Sequence, residues 1–246
     1  MKKQYIFLAV LCVLASNLVH SQVLRPRRVD VGIFAGPTID WATTNTRTYS
    51  STGAKIGGAY GLTIDLNLAP TSSNYYFSTG ISARHIRFGL EYKDDYLFEN
   101  TETNQTETLL NASIKSSFNT IYVSIPTAVR LKTNSFGDFV FWGLIGLEHS
   151  IAASSKSNDE ITRDIDGSEE KQDKVNHYKD MALFKESLYI VLGAEYIIRD
   201  NTKVTFGIGY NHGFNNMFSK KYHNTITDTK VIAHTHRLEF QFGVTF

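Results

Sequence analysis

Cysteine is almost missing from this chain. The single one, Cys12, sits in an apolar stretch near the N-terminus, so no disulfide framework holds the fold together. Val13 and Leu14 follow it, which also excludes a lipid-bearing cysteine just past a cleavage site. A charge excess is missing too: 25 Lys+Arg against 24 Asp+Glu leave a net +1, whereas a general nucleic-acid binder carries a basic surplus. Beyond the N-terminal stretch no apolar run approaches the roughly 20 residues of a membrane helix, and no Gly-x-Ser-x-Gly nucleophile motif is present. These absences leave one route into a membrane, because a barrel strand needs only about 9–11 alternating residues.

The N-terminus reads as an export signal. Lys2 and Lys3 precede the apolar run Tyr5–Leu14, which softens through Ala15, Ser16 and Asn17 to Val19, His20 and Ser21. That layout predicts a secretory signal peptide over 1–21, cleaved between Ser21 and Gln22, with 22–246 as one β-barrel domain. Cleavage removes two lysines and no acids, so 23 basic residues then face 24 acidic ones.

Alternation of apolar and polar residues recurs along the rest of the chain. The C-terminal stretch sets Leu238, Phe240, Phe242, Val244 and Phe246 against Arg237, Glu239, Gln241, Gly243 and Thr245, the period of a strand with two differently solvated faces. Comparable patterns over 55–68, 121–132, 187–198 and 203–211 predict four further strands. Residues 29–41 alternate but contain Pro37, which suggests a bulge or a strand end. Residues 75–92 change phase, and a β-bulge near Arg84–His85 would restore a single apolar face. With 139–151 the count is eight.

The intervening segments, 42–53, 69–74, 93–118, 133–137, 152–186, 200–201 and 213–233, alternate long and short. An up-and-down antiparallel sheet then puts every long one at the same end. The predicted fold is all-β: an eight-stranded antiparallel up-and-down transmembrane β-barrel with long extracellular loops and short periplasmic turns. A soluble barrel would need a Lys- and Glu-rich outer face. Here the polar face is largely Gly, Ala, Ser and Thr, which suits a crowded lumen, and the other face is Phe, Leu, Ile and Val, which suits lipid. Trp41, Tyr92 and Tyr210 fall at strand ends beside long loops and are the expected aromatic girdle. Phe242 and Phe246 are the expected C-terminal signal for barrel-assembly machinery.

The pieces "IYVSIPTAVRLK", "FVFWGLIGLEHSIA", "YIVLGAEYII" and "VTFGIGYNHGFNNMF", followed by the aromatic last strand, resemble the PorT-like outer-membrane β-barrel family of Bacteroidetes. The resemblance implies the outer membrane of a Gram-negative bacterium and no catalytic motif. One branch of that family is associated with type IX secretion and gliding.

Lys55, Asp65, Arg84, Arg87, Arg130, Lys132, Glu148, Glu195, Lys203, Arg237 and Glu239 are the expected inward charges. Buried charges must be paired, so they predict a network that plugs the barrel, with a path for small solutes as the alternative. No cofactor, metal or catalytic residue is expected. His234 and His236 share a strand face, but at a lipid-facing boundary they read as interfacial. Asp164, Asp166 and Gly167 in "RDIDGSEE" are a fragment of a calcium loop without its first acid or closing spacing, and read as solvated loop. "HYKDMALFKE", 177–186, has the pattern of a short amphipathic helix. The function expected is a non-enzymatic binding, scaffolding or envelope-structural role through the outer loops. The alternatives are an accessory of a type IX secretion or gliding machine, and an outer-membrane enzyme or pore. Expected partners are outer-membrane lipid, assembly machinery and envelope or secretion proteins, and no nucleic acid.

Overall fold

Strands that alternate in polarity must pair, and in the computed structural model they pair until no edge of the barrel is left. The structure describes residues 28–69, 72, 74–100, 105–165, 167–199 and 202–246; the expected signal peptide lies outside them. Nine strands form one antiparallel sheet among the described residues: β1 Val29–Thr44, β2 Tyr49–Asn67, β3 Tyr75–Asn100, β4 Gln105–Lys132, β5 Phe139–Thr162, β6 Glu169–Asn176, β7 Phe184–Arg199, β8 Thr202–Gly213 and β9 Ala233–Thr245. Pairing runs from β1 through β2, β3, β4, β5, β7, β8 and β9 back to β1, so the sheet closes in a ring. At the seam Phe246 and Val31 exchange backbone hydrogen bonds of 2.8 and 3.3 Å. β6, the strand beyond the expected eight, pairs only with β5 and stands outside the ring.

The faces are sorted as a bilayer requires. Outward-pointing Ile56, Leu62, Ile125, Phe141, Leu192 and Phe206 are exposed, while Asp30, Asp65, Arg130, Glu148, Glu195 and Arg237 are buried inside. Small inward residues make room for this: a Cβ on Gly193 would lie 2.4 Å from the Trp142 ring, which is laid across that position.

Several expectations are corrected. Pro37 neither ends nor bulges β1. Its register with β2 runs unbroken through Pro37↔Gly58, and only pairing with β9 lapses between Ala35↔Phe242 and Thr38↔Glu239, because proline has no N–H to donate. β3 has no bulge at Arg84–His85, since its register with β4 is continuous from Ser82 to Asp94. The irregularity lies on the partner, β2, between Ala54 and Gly58. The segments 93–118 and 152–186 are mostly strand. β3, β4 and β5 contain 26, 28 and 24 residues, far more than the roughly 9–11 that cross a bilayer, and they continue beyond it.

That continuation has its own interior. Ile86, Phe88, Leu90, Tyr92, Ile114, Phe118, Met181, Met217 and Phe218 form one buried apolar cluster, with Phe88 stacked on Phe118 at 4.8 Å and Tyr49 on Tyr92 at 4.5 Å. The expected helix over 177–186 is a turn running into β7. Met181 pairs with Phe218 across an isolated bridge, and burial of that side chain draws the segment inward.

Candidate functional site

Two tiers of charge fill the barrel. In the tier nearer the short turns, Arg130 meets Asp65 at 2.5 Å, Lys132 meets Glu195 at 3.0 Å and Asp30 at 3.3 Å, and Lys203 meets Asp30 at 3.3 Å and Glu195 at 3.6 Å. Arg130 lies 4.3 Å from the Trp142 ring centre, and the Lys132 ammonium 4.6 Å from that of Tyr76. In the second tier Glu148 receives Arg84 at 2.9 Å, Arg237 at 2.9 and 3.1 Å, and Asn211 at 3.1 Å. Glu239 closes the group by pairing with both Arg84 and Arg237. Pairing of this density offsets part of the desolvation of each charge, and removing one partner leaves the other stranded.

The expected lumen residues are not all there. Lys55 and Arg87 lie on the outer side: Arg87 is exposed, and Lys55 runs across the outer side of Gly89. The inward placing of Arg87 rests on a bulge within β3 and that of Lys55 on unbroken alternation along β2, whereas the displacement lies in β2 between Ala54 and Gly58. Tyr92, expected in the girdle, is buried against Tyr49, because above the bilayer the apolar side of β3 faces inward. Trp41 and Tyr210 stay on the outside, with ring centres 6.4 Å apart. Asp30, Asp40 and Lys185 are inward charges that the expected set omits. Asp30 and Asp40 share the polar phase of β1, which was signal enough; Lys185 lay in a presumed loop. Its ammonium makes no ion pair among the described residues and stands 5.5 Å from the Tyr122 ring centre.

Above the plug, the chain closes over the apolar cluster. Asn216 binds the Val231 carbonyl and receives the Ala233 N–H at 2.8 and 2.9 Å. Asn224 donates to the Lys93 carbonyl at 2.7 Å, and Thr225 donates its N–H to Asp94 at 2.8 Å. The β8–β9 connection is thereby tied across the mouth to β3. On the other side, buried Asp159 accepts the Tyr96 hydroxyl at 2.9 Å and faces His177 at 3.9 Å, and His177 reaches Asp180 at 2.8 Å. Burial alone would lower the His177 pKa, but Asp159 and Asp180 outweigh it and hold the imidazolium up to about 9. Asp159 is held below its ordinary value. Burial opposes this, and hydrogen bonding from His177, Ser157, Ser116 and Tyr96 prevails.

Outside this region, the upper parts of β3, β4, β5 and β6 form a blade. Thr52, Lys55, Lys115, Ser117, Asn158 and Lys171 line an open groove of about 500 Å³ on it. Lys171 is paired with Glu160 at 3.0 Å, and Lys115 approaches Glu91 at 3.9 Å. Lys55 makes no ion pair among the described residues. On the lipid-facing side, Thr127 lies 2.8 Å from His149 Nε2, and His149 Nδ1 lies 2.5 Å from Glu186, an order of groups that resembles a hydrolase triad. Acyl transfer also needs free donors for an oxyanion. Here β4 and β5 are paired on both sides, so their N–H groups are engaged in ladders. Asp166 of the calcium-like fragment lies outside the described residues. Asp164 instead ties Lys93 and Asn111 at 3.4 and 3.0 Å.

Comparison with known proteins gives one family match: the model of the outer membrane protein beta-barrel domain covers residues 20–219. No curated protein matches. Among solved structures, the neisserial surface protein NspA is 12% identical over 89% of this chain and 96% of its own, with a TM-score of 0.41. The outer membrane protease OmpT of Escherichia coli is 10% identical over 92% and 99%, at 0.36. Ail, the attachment invasion locus protein of Yersinia pestis, is 13% identical over 89% and 100%, at 0.34. All three TM-scores lie below 0.5, and the family assignment rests on the domain match.

Proposed function

The chain belongs to the outer membrane protein beta-barrel domain family, and from that premise we propose that it is a non-enzymatic binding platform. Its ring of eight strands spans the outer membrane as an anchor, and its blade is the working surface on the extracellular side. The observation that carries this reading is that the lumen is filled twice, by the Arg84–Glu148–Arg237–Glu239 network and then by the apolar cluster around Phe88 and Phe118. Among the described residues, side chains packed in this way argue against a broad aqueous path, which turns attention to the surface that the long strands build. The groove presents hydroxyls, the Asn158 amide, the ammonium groups of Lys55, Lys115 and Lys171, and three carboxylates, those of Asp159, Glu160 and Asp173. That mixture suits a polyhydroxylated ligand such as a glycan, with an acidic group of it set against Lys55, the one of the three lysines that makes no ion pair among the described residues.

Binding of cell-surface and host-type anionic glycans to the purified barrel tests this. Alanine at Lys55, Lys115 and Lys171 together is expected to abolish binding, and the affinity should fall as salt rises. Binding that survives the triple substitution, or that is lost equally on altering exposed charges elsewhere, refutes the assignment of the groove. An ion-conducting step in planar bilayers refutes the filled lumen.

A further inference from the structure

One cluster on the outer face takes no part in the plug or the blade. His212 on β8 and His236 on β9 are direct cross-strand partners, and their rings meet with Nδ1 3.2 Å from Nδ1. We propose that His212 and His236 form a two-histidine chelate for a divalent transition-metal ion of the Zn²⁺ or Cu²⁺ class, set at the outer boundary of the membrane.

The spacing is the first argument. Two imidazole nitrogens bound to zinc at about 2.0–2.1 Å in a tetrahedral site stand about 3.3 Å apart, so the pair already has the bite of such a site. Both side chains rise from paired strands rather than from loops, which fixes the spacing before a metal arrives. The second argument is ring orientation. Thr43 Oγ1 lies 3.0 Å from His236 Nε2. With Nε2–H given to Thr43, the lone pair of His236 is on Nδ1 and points toward His212, the arrangement in which an outer hydrogen bond sets the ligating tautomer. The Trp41 ring lies against the same imidazole at 5.4 Å and within 9° of parallel, and holds it from the other side. Tyr210 places its hydroxyl 2.9 Å from His236 Nδ1, where it occupies the lone pair until a metal displaces it. Among the described residues no three-ligand cluster of His, Cys, Asp or Glu is present, so the remaining coordination positions fall to water. His234, two residues along the same face, lies outside the pair.

The stacking of Trp41 on the ligand ring supplies the assay. Untagged, EDTA-treated protein refolded in detergent micelles is titrated with Cu²⁺ while tryptophan fluorescence is followed, with Zn²⁺ added as competitor. Trp142 is buried in the lumen and provides the unquenched background. Saturable quenching reversed by Zn²⁺ is expected, with a copper electron paramagnetic resonance spectrum showing two equatorial nitrogens. His212→Ala and His236→Ala should each weaken binding more than about tenfold, and Thr43→Val, which keeps both imidazoles, by about tenfold. His234→Ala should leave it within about twofold, since that ring is outside the chelate. Heat-modified migration on gels confirms that each variant is folded, and Thr43→Val serves if a histidine variant is not. Absence of quenching, quenching unchanged in His212→Ala, or a larger loss from His234→Ala than from His212→Ala overturns the proposal.

Discussion

Replacing Glu148 by glutamine removes one charge from the middle of the barrel and almost no volume. Glu148 is fully buried and receives two guanidinium groups, Arg84 at 2.9 Å and Arg237 at 2.9 and 3.1 Å. Once it is neutral, Glu239 alone faces both arginines, and one buried positive charge is uncompensated. Breaking a buried pair by neutralising one partner costs about 3–5 kcal/mol. The Asn211 amide, 3.1 Å from Oε1, still finds an acceptor in the glutamine carbonyl, but the glutamine NH2 then stands where Oε2 accepts from Arg84 and Arg237, so the loss combines charge with those two contacts. Equilibrium unfolding in urea, with the barrel in detergent or vesicles, reads the change as a shift in midpoint at constant slope. A second substitution separates the causes. Arg84→Met removes the stranded cation and replaces it with an apolar chain of similar length, so Glu148→Gln/Arg84→Met should be more stable than Glu148→Gln alone, with a coupling of about 1–3 kcal/mol. A cost below about 1 kcal/mol for Glu148→Gln, or strict additivity in the double variant, refutes the view that this network is a closed, mutually dependent unit.

Three further outcomes follow from the same geometry. Phe118→Ala, in the outer cluster, should cost about 3–5 kcal/mol; the loss should appear as protease sensitivity of the β6–β7 and β8–β9 connections, while the heat-resistant barrel persists. Gly193→Ala should perturb the emission of Trp142 and lower the unfolding midpoint, because its Cβ would sit 2.4 Å from that ring and 2.3 Å from the Phe206 carbonyl oxygen; an unchanged spectrum and midpoint would show that both the ring and the β8 backbone have room to move. The His177 clamp should depend on pH in a fixed sense. Its folded pKa of about 9 lies above the ordinary 6.5, so its contribution is complete below 6.5 and is lost as pH rises through about 9. Asp159, held low, contributes above its ordinary 3.8 and loses that contribution as pH falls below it. The protection of the Met181 amide, taken relative to its intrinsic base-catalysed exchange, should therefore fall on the alkaline side, and His177→Ala should flatten that dependence.

The closed ring and its polarity were legible because each membrane-spanning stretch keeps a strict period of two: Leu238, Phe240, Phe242 and Val244 outward, Arg237 and Glu239 inward. The plug was legible for the same reason, since a charge in the polar phase of a lipid-facing strand has nowhere to go but the lumen. Lys185 and the blade were not legible by that rule. Their segments alternate too, but with loop-like residues on one side: Lys156, Asn158 and Glu160 of β5 are exposed outward and Asp159 and Ile161 buried inward. Charge content marked these stretches as solvated, which holds for one face only. His212 and His236 were visible as single residues, yet their pairing required the β8–β9 register, which depends on where the strands end.

The phase change within β3 carries the most physical information, and a bulge is the wrong account of it. Even-numbered residues point inward along the whole strand: Ser78, Ser82 and Arg84 first, then Ile86, Phe88, Leu90 and Tyr92, all buried. Odd-numbered residues point outward and change in the opposite sense, from Ile81 and Ala83 to Arg87 and Lys93. An inserted residue would shift the register with β4, and no shift occurs there. The backbone is uniform, so it is the solvent that changes. Where lipid surrounds the strand, apolar groups go out and polar ones in; where water surrounds it, the preference inverts. The neighbours change at the same height. Ala83 pairs with Val123, Val123 with Ile151 and Ile151 with Phe184, and beyond that row the outward side chains of β4 and β5 turn polar at Asn119, Ser117 and Lys115, and at Lys156, Asn158 and Glu160. An inversion of hydrophobic phase without a register shift on β3 and β4, reached on β5 through a one-residue shift opposite Ile121 and Tyr122, therefore marks the outer limit of the hydrocarbon. A spin label at position 81 should be reached by lipid-soluble oxygen and one at 87 by a water-soluble reagent; equal accessibility at both positions would place the boundary elsewhere.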